Sequence, residues 1–271
     1  MRGIFAIFAA ILAVLYQKSA WNFTAQNKKD IDDLSVNSTA EALGAELETL
    51  PLSVQRWLKN SGAAERSAIK SVHLKQSGLM RLKPEQQKWI KAEAEQVITT
   101  DPPSFMWTVK MNMKPFVAVI GRDSFKEGKA QMLIKLAALV PLAQVEDDAK
   151  TNESALQRFL MEMVWYPTAA LLPYITWKEM NETTAEATII YGGVKGTATF
   201  HVNEQGELFK VIASRFKDSG ADARRFPCVA EIKQHMKVDG MVVPAEIAIT
   251  WLLEEGPFTW YKFKVHDMKI Y

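Results

Sequence analysis

The chain contains a single cysteine, Cys228, so no disulfide can form within it. It lies in a strand-like run, where a buried thiol is expected rather than a nucleophile. An excess of charge of one sign is also missing. Thirty-three Lys and Arg stand against 31 Asp and Glu, a formal net charge of +2. So small an imbalance supplies no field to steer nucleic acid, and Lys28-Lys29 is too short for a basic tract. Histidine is scarce: the four, at positions 73, 201, 235 and 266, fall in separate strand-like segments. No His-Glu-x-x-His, Cys-x-x-Cys, Gly-x-Ser-x-Gly or phosphate-loop pattern occurs. Neither a metal nor a cofactor is therefore expected. Long apolar runs are lacking too. The longest, residues 3–16, falls short of the ~20 residues that a helical span needs.

That run follows Met1 and Arg2 and reads as the apolar part of an anchor or signal segment within residues 1–21. Lys18 stands where a cleavage site wants a small residue, which favours an uncleaved anchor. Lys18, Lys28 and Lys29 follow the run, so the charge flanks set no orientation. Residues 22–48 are polar and weakly periodic, a tether between membrane and domain. One β-rich domain is expected over residues 49–271, placed outside the cytoplasm.

Within it, the longest helix-period stretch is residues 152–177. Leu156, Phe159, Leu160, Met163 and Val164 make one wide apolar stripe. Arg158 and Glu162, four apart, can pair along the helix, and Pro167 breaks it. A shorter helix is expected after Pro51, stopping at Gly62. Nearly everything else alternates with period two. Val72, Leu74, Gln76, Gly78, Met80 and Leu82 share one strand face; Phe105, Trp107, Val109, Met111 and Met113 share another. Gly121-Arg122-Asp123 reads as a strand interruption, residues 141–151 as an acidic loop, and Asp239-Gly240 as a hairpin turn. The pattern predicts a mainly β fold of the α+β class. About ten antiparallel strands form a large curved sheet or open barrel wrapped around a central apolar helix.

The polar residues that look most chemical are Asp101, Arg122, Asp123, Arg158 and Glu162, with Arg215 as an outlier. Asp101, Asp123 and Glu162 are the candidate acids or bases if the protein is an enzyme. The simpler expectation is an ion-pair network of Asp101, Arg122, Arg158 and Glu162 that locks helix to sheet, because arginine pairs bidentately with carboxylates. Phe105, Trp107, Met111, Met163 and Trp165 are the candidate ligand-binding residues. Eight tryptophans and 12 methionines suit either a bulky core or an adaptable apolar surface.

The order of landmarks resembles an uncharacterised bacterial family of membrane-anchored proteins. It runs Leu50-Pro51, Val54, Arg56, Leu58, Ser61-Gly62; then Asp101-Pro102-Pro103, Phe105, Trp107; then Gly121-Arg122-Asp123 and Gly128. Arg158, Leu160, Glu162, Trp165 and Pro167 complete it, before Ile270-Tyr271. Ala130 departs from the family pattern, where a second glycine is expected, and so does Phe226-Pro227, where a Pro-Trp pair is. The family implies no activity and no catalytic residues. Its open barrel around a helix is similar in fold to lipoprotein carriers. Together these features lead to a membrane-tethered envelope domain that binds a lipid, acyl chain or lipid-linked partner in an apolar cavity. The alternatives are an assembly module that binds another envelope protein through exposed tryptophans, and an enzyme with a carboxylate and arginine cleft.

Overall fold

From residue 71 onward, burial alternates along several strands, most regularly in residues 90–95 and 195–202, as it must when one sheet face packs on a core and the other meets water. The structure, a computed structural model, describes residues 44–114 and 117–271, together with residues 18, 19, 21, 23, 25–27 and 29. Helix α1 spans Leu52–Asn60 and is followed by six strands, β1 (Ser71–Met80), β2 (Ile90–Thr99), β3 (Ser104–Lys114), β4 (Val117–Lys126), β5 (Lys129–Leu136) and β6 (Val140–Glu146). Helix α2 (Ala149–Glu162) and two 3-10 turns, Met163–Trp165 and Pro167–Leu171, come next. Seven more strands complete the chain: β7 (Ile175–Asn181), β8 (Thr184–Tyr191), β9 (Val194–Val202), β10 (Leu208–Phe216), β11 (Arg225–Val238), β12 (Met241–Leu253) and β13 (Gly256–Ile270).

All thirteen strands form one antiparallel sheet in the order β6-β5-β4-β3-β2-β1-β13-β12-β11-β10-β9-β8-β7. Two meanders, one on each side of α2 in sequence, meet where β1 pairs with β13. The outer strands β6 and β7 do not pair, so the barrel is open. Helix α2 connects these two free edges and packs on the core face against β9 and β10 on one side and β4 and β5 on the other. The expected class and the helix inside the sheet are both present.

Several local expectations need correction. The helix ends at Glu162, short of the expected residues 152–177; Met163 and Val164 still belong to its buried stripe, and Pro167 opens the second 3-10 turn. Residues 140–146 are a strand, β6, and not part of a loop. Pro141 is tolerated there because β6 is an edge strand and the pairing with β5 is irregular at that point. Gly121 does not interrupt β4 either. It lies opposite Val109, where an added Cβ would come within 3.0 Å of the valine methyl. The Asp239-Gly240 turn is as expected, with φ of 47° and 82°. Helix α1 closes one end of the barrel: Trp57 stacks on Phe200 at 5.5 Å, and Trp177 meets the same ring edge-on at 5.2 Å.

The expected anchor or signal within residues 1–21 and the tether of residues 22–48 lie largely outside the described residues. Those described at 23, 25–27 and 29 are helical. Among the described residues, no helix is long and apolar enough to cross a membrane.

The open side is bridged by two hairpin tips. Gly128, between β4 and β5, meets Gly192, between β8 and β9. A Cβ on Gly128 would lie 2.7 Å from the Gly192 carbonyl, and both glycines have positive φ. Gly192→Ala is therefore expected to cost about 2 kcal/mol, from the left-handed backbone and the lost approach together. Urea denaturation measures this, with Gly193→Ala as the control, since nothing lies near a Cβ there. Equal losses in the two variants would refute a structural role for the tip contact.

Candidate functional site

An apolar sheet face holding a helix needs no polar groups, yet this one carries a connected set. Inward positions on three neighbouring strands hold Gln96 (β2), Trp107 (β3) and Asp123 (β4), which are successive cross-strand partners. Gln76 of β1 lies beside them and Tyr261 of β13 completes the wall. From α2, four residues apart on one helix face, Arg158 and Glu162 reach down to it.

Arg158 is the hub. Its Nε donates to Glu162 Oε1 at 2.8 Å, and one terminal nitrogen donates to Asp123 Oδ2 at 3.2 Å. The other reaches Gln96 Oε1 at 3.4 Å. The guanidinium carbon lies 4.9 Å from the ring centroids of both Phe105 and Trp107, a cation–π contact on two rings. Gln96 Nε2 donates to Glu162 Oε2 at 2.6 Å. Gln76 donates to Gln96 and accepts from Trp107 Nε1 at 3.1 Å and from the Tyr261 hydroxyl at 3.0 Å. The polar groups therefore satisfy one another, as buried polar groups must.

Two carboxylates share one guanidinium. Burial pushes the Asp123 carboxyl above its ordinary 3.8; Arg158 and Arg215 pull it down, and Glu162 pushes it further up, for a net rise. Burial also disfavours the charge on Arg158, but Glu162 and Asp123 outweigh it and hold the guanidinium protonated. Burial drives the Tyr261 hydroxyl far from ionisation, so it acts as a donor. The Cys228 thiol is buried beside Arg215 at 3.7 Å, and its pKa is raised by burial, which leaves it unreactive.

Arg158 and Glu162 meet, as the sequence implies, and Asp123 joins them. Asp123 is mid-strand, not at a strand break. Arg122 is its neighbour on β4 and so points to the opposite sheet face, where it approaches Gln131 and Asn27 at 3.5 Å. Asp101 occupies the turn between β2 and β3 and makes no ion pair among the described residues. These two do not belong to the network. Gln76, Gln96 and Tyr261 were not among the candidates; a glutamine at an inward position of an otherwise apolar strand was the available signal.

Phe105, Trp107, Met111, Met163 and Trp165 are all buried in the core. Phe105 stacks on Phe125, and Trp165 Nε1 donates to the Pro244 carbonyl at 3.1 Å. Two surface hollows lie elsewhere. One, of about 300 Å³, is bounded by Arg66, Ile69 and Tyr271; the other, of about 330 Å³, by Gln157, Lys195 and Ser214. Among the described residues, no cluster of three or more metal-ligating side chains forms.

A family model matches residues 48–270. The chain belongs to DUF6920, a family of unknown function. That is in keeping with the resemblance drawn from the sequence motifs. No curated protein matches the chain. Among solved structures, a LolA superfamily protein from Nitrosomonas europaea is similar, with a TM-score of 0.42 and 10% identity over 80% of this chain and 92% of that one. For this family member, the site described above is the main polar feature of the interior.

Two outcomes test its energetics. Arg158→Met leaves two half-buried carboxylates without their cation and is expected to cost about 1.5–3 kcal/mol in chemical denaturation; a loss below about 1 kcal/mol would show that the hub is dispensable. Because the folded Asp123 pKa is raised, the folded state holds a proton that the unfolded chain releases near 3.8. The stability due to protonated Asp123 is thus complete below 3.8 and declines as pH rises through the raised value. The stability of wild type relative to Asp123→Asn should fall with pH across that window. A relative stability that rises with pH there overturns the assignment.

Proposed function

We propose that residues 49–271 form a binding domain for a lipid, an acyl chain or a lipid-linked partner. The apolar segment within residues 1–21 and the tether of residues 22–48 hold it at a membrane, on the envelope side. One observation carries this reading. The apolar inner face of the sheet is covered by α2 and its 3-10 turns, whose chain enters and leaves at the two unpaired edges. No ladder of hydrogen bonds crosses from β6 to β7, so α2 can lift without breaking the sheet. Phe105, Trp107 and Met111 on the wall and Met163 and Trp165 beside the helix would then line the exposed face, and a Met- and aromatic-rich surface accommodates variable acyl chains. The interior is filled in this closed form, so ligand entry requires displacement of α2, and the Arg158 network is the latch.

The enzyme reading loses its cleft, since Asp101 and Arg122 stand apart from Asp123 and Glu162. An assembly role for exposed tryptophans has Trp21 alone among strongly exposed tryptophans described. One feature does favour a partner: the β6 edge and the turn before it expose Leu139, Val140 and Leu142.

The test is native mass spectrometry of the full chain extracted from membranes in mild detergent, with lipid analysis of the bound fraction. A stoichiometric acyl-chain ligand is expected, and Arg158→Ala should speed uptake of a fluorescent fatty acid about fivefold or more, since each ~1 kcal/mol of latch energy lost is worth about that factor. Ligand-free protein in repeated preparations, with no saturable uptake by either form, overturns the proposal and directs attention to crosslinking at β6.

A further inference from the structure

The turn between β5 and β6 is covered at its centre and bare around it. Ala138, in the turn, is 1% exposed, although it does not belong to the main core. The same holds for Ala118 of β4, whose carbonyl accepts from the Ala137 amide. Residues from early in the chain reach this place. The Ser19 hydroxyl donates to the Ala138 carbonyl, and Asn27, itself buried, accepts from Arg122 at 3.5 Å on the outer face of β4. The described residues 18, 19, 21, 23, 25–27 and 29 are helical. Ser19 stands at the turn and Asn27 beside the middle of β4, so the chain direction on this face is from the turn inward. The apolar run of residues 3–16 ends three residues before Ser19, no more than about 11 Å of chain away.

The register shows what else stands at that end of the sheet. Met111, Val119, Leu136 and Val140 pair in one row across β3, β4, β5 and β6, so the end of β3 and the β5–β6 turn lie at the same end. Met113, Leu139, Val140 and Leu142 are found there, each between 38% and 56% exposed. Large apolar side chains gathered at one end in this way mark a contact surface. The charge around them has one sign. Residues 105–122 and 128–145, on which the four lie, contain no Asp or Glu. Lys110 and Lys135 both pair with Ile120, one residue from the row.

We propose that this end of the sheet docks on an anionic bilayer surface, with Leu139, Val140 and Leu142 entering the headgroup region. The proposal rests on the reading of residues 1–21 as a membrane anchor. A bilayer is the occupant that the chain itself brings: an anchor that ends within about 11 Å of Ser19 holds lipid beside the turn at high effective concentration. Apolar side chains that insert, with lysines that meet acidic headgroups, supply the chemistry of an interfacial contact. The free edge of β6, from which the chain leads into α2, then faces the membrane.

The full chain is reconstituted in vesicles of phosphatidylcholine and phosphatidylglycerol, with an environment-sensitive NBD label on Leu139→Cys. Cys228 is buried with a raised pKa, so labelling is selective. Glu204→Cys, in the exposed turn between β9 and β10 at the opposite end, is the control. Blue-shifted emission that spin-labelled lipid quenches is expected at position 139, and water-like emission at 204. Burying one leucine is worth about tenfold or more in a docking equilibrium. Adding Leu142→Glu, at an exposed position, should therefore lower the ratio of quenched to unquenched label at 139 about tenfold. Water-like emission at 139 in protein that floats with the vesicles overturns the docking and leaves the anchor standing. Protein that does not float refutes the anchor, and the docking with it. A blue shift that spin-labelled lipid does not quench assigns the patch to a protein contact and overturns the proposal.

Discussion

A half-buried guanidinium that serves two carboxylates is the constraint on which the interior rests. Apolar packing alone would hold α2 against the sheet, but it would leave the helix free to slide, since hydrophobic contact is non-directional. Arg158 removes that freedom. Its planar fork fits Glu162 on its own helix and Asp123 on β4, and the rings of Phe105 and Trp107 lie against it. A half-buried pair of this kind adds little net stability over an apolar replacement. Its effect is on position: it fixes the register of α2 over β2, β3 and β4, and Gln76, Gln96 and Tyr261 extend that fix to β1 and β13.

Gln157 and Arg158 are adjacent in sequence but work on opposite halves of the sheet. Gln157 bonds the carbonyls of Thr197 and Ser214 in the second meander; Arg158 bonds Asp123 in the first. Adjacent helix residues diverge by about 100° around the axis, which allows one helix to address both walls. With β6 and β7 unpaired, α2 and the Gly128–Gly192 contact are the means by which the open side is spanned. The element that would have to move for an acyl chain to enter is therefore also the one that ties the two edges together. A latch made of hydrogen bonds and a charge pair suits that double duty better than a fused apolar interface, because water can take over its polar groups when the helix lifts.

Much of this was legible from the sequence, for a physical reason. Antiparallel strands with one wet face write their orientation in a period of two, and the stripe from Leu156 to Val164 writes the helix. What the pattern concealed was local. Pro141 made β6 look like a loop, though its place at an edge removes the objection to proline. Gly121 looked like an interruption, though it serves close packing against Val109. Pairing between distant residues does not show in periodicity at all. Arg158 with Glu162 was readable at i,i+4, whereas Asp123, Gln76 and Gln96 join them only through the sheet register. The gap that Gln157 fills was hidden for the same reason: it arises where the ladder between β9 and β10 stops at Ile212 and Thr199, and neither strand sequence signals that failure.

The topology carries a further consequence. Val72 pairs with Ile270, and the Lys70 and Ser71 amides bond the Tyr271 carbonyl. The central seam of the sheet thus joins segments about as far apart in the chain as the fold contains, and closing a loop of that length is entropically costly. The two meanders consist of local hairpins, each able to form without the other. Their inner faces stay exposed until β13 reaches β1 and α2 settles between them. The polar hub draws on β1, β2, β4 and β13 together, so it is complete only when that seam is. A hydrogen-bonded network that cannot be satisfied within either half discriminates against half-assembled states, in which the charges of Arg158 and Asp123 would lack their full set of partners.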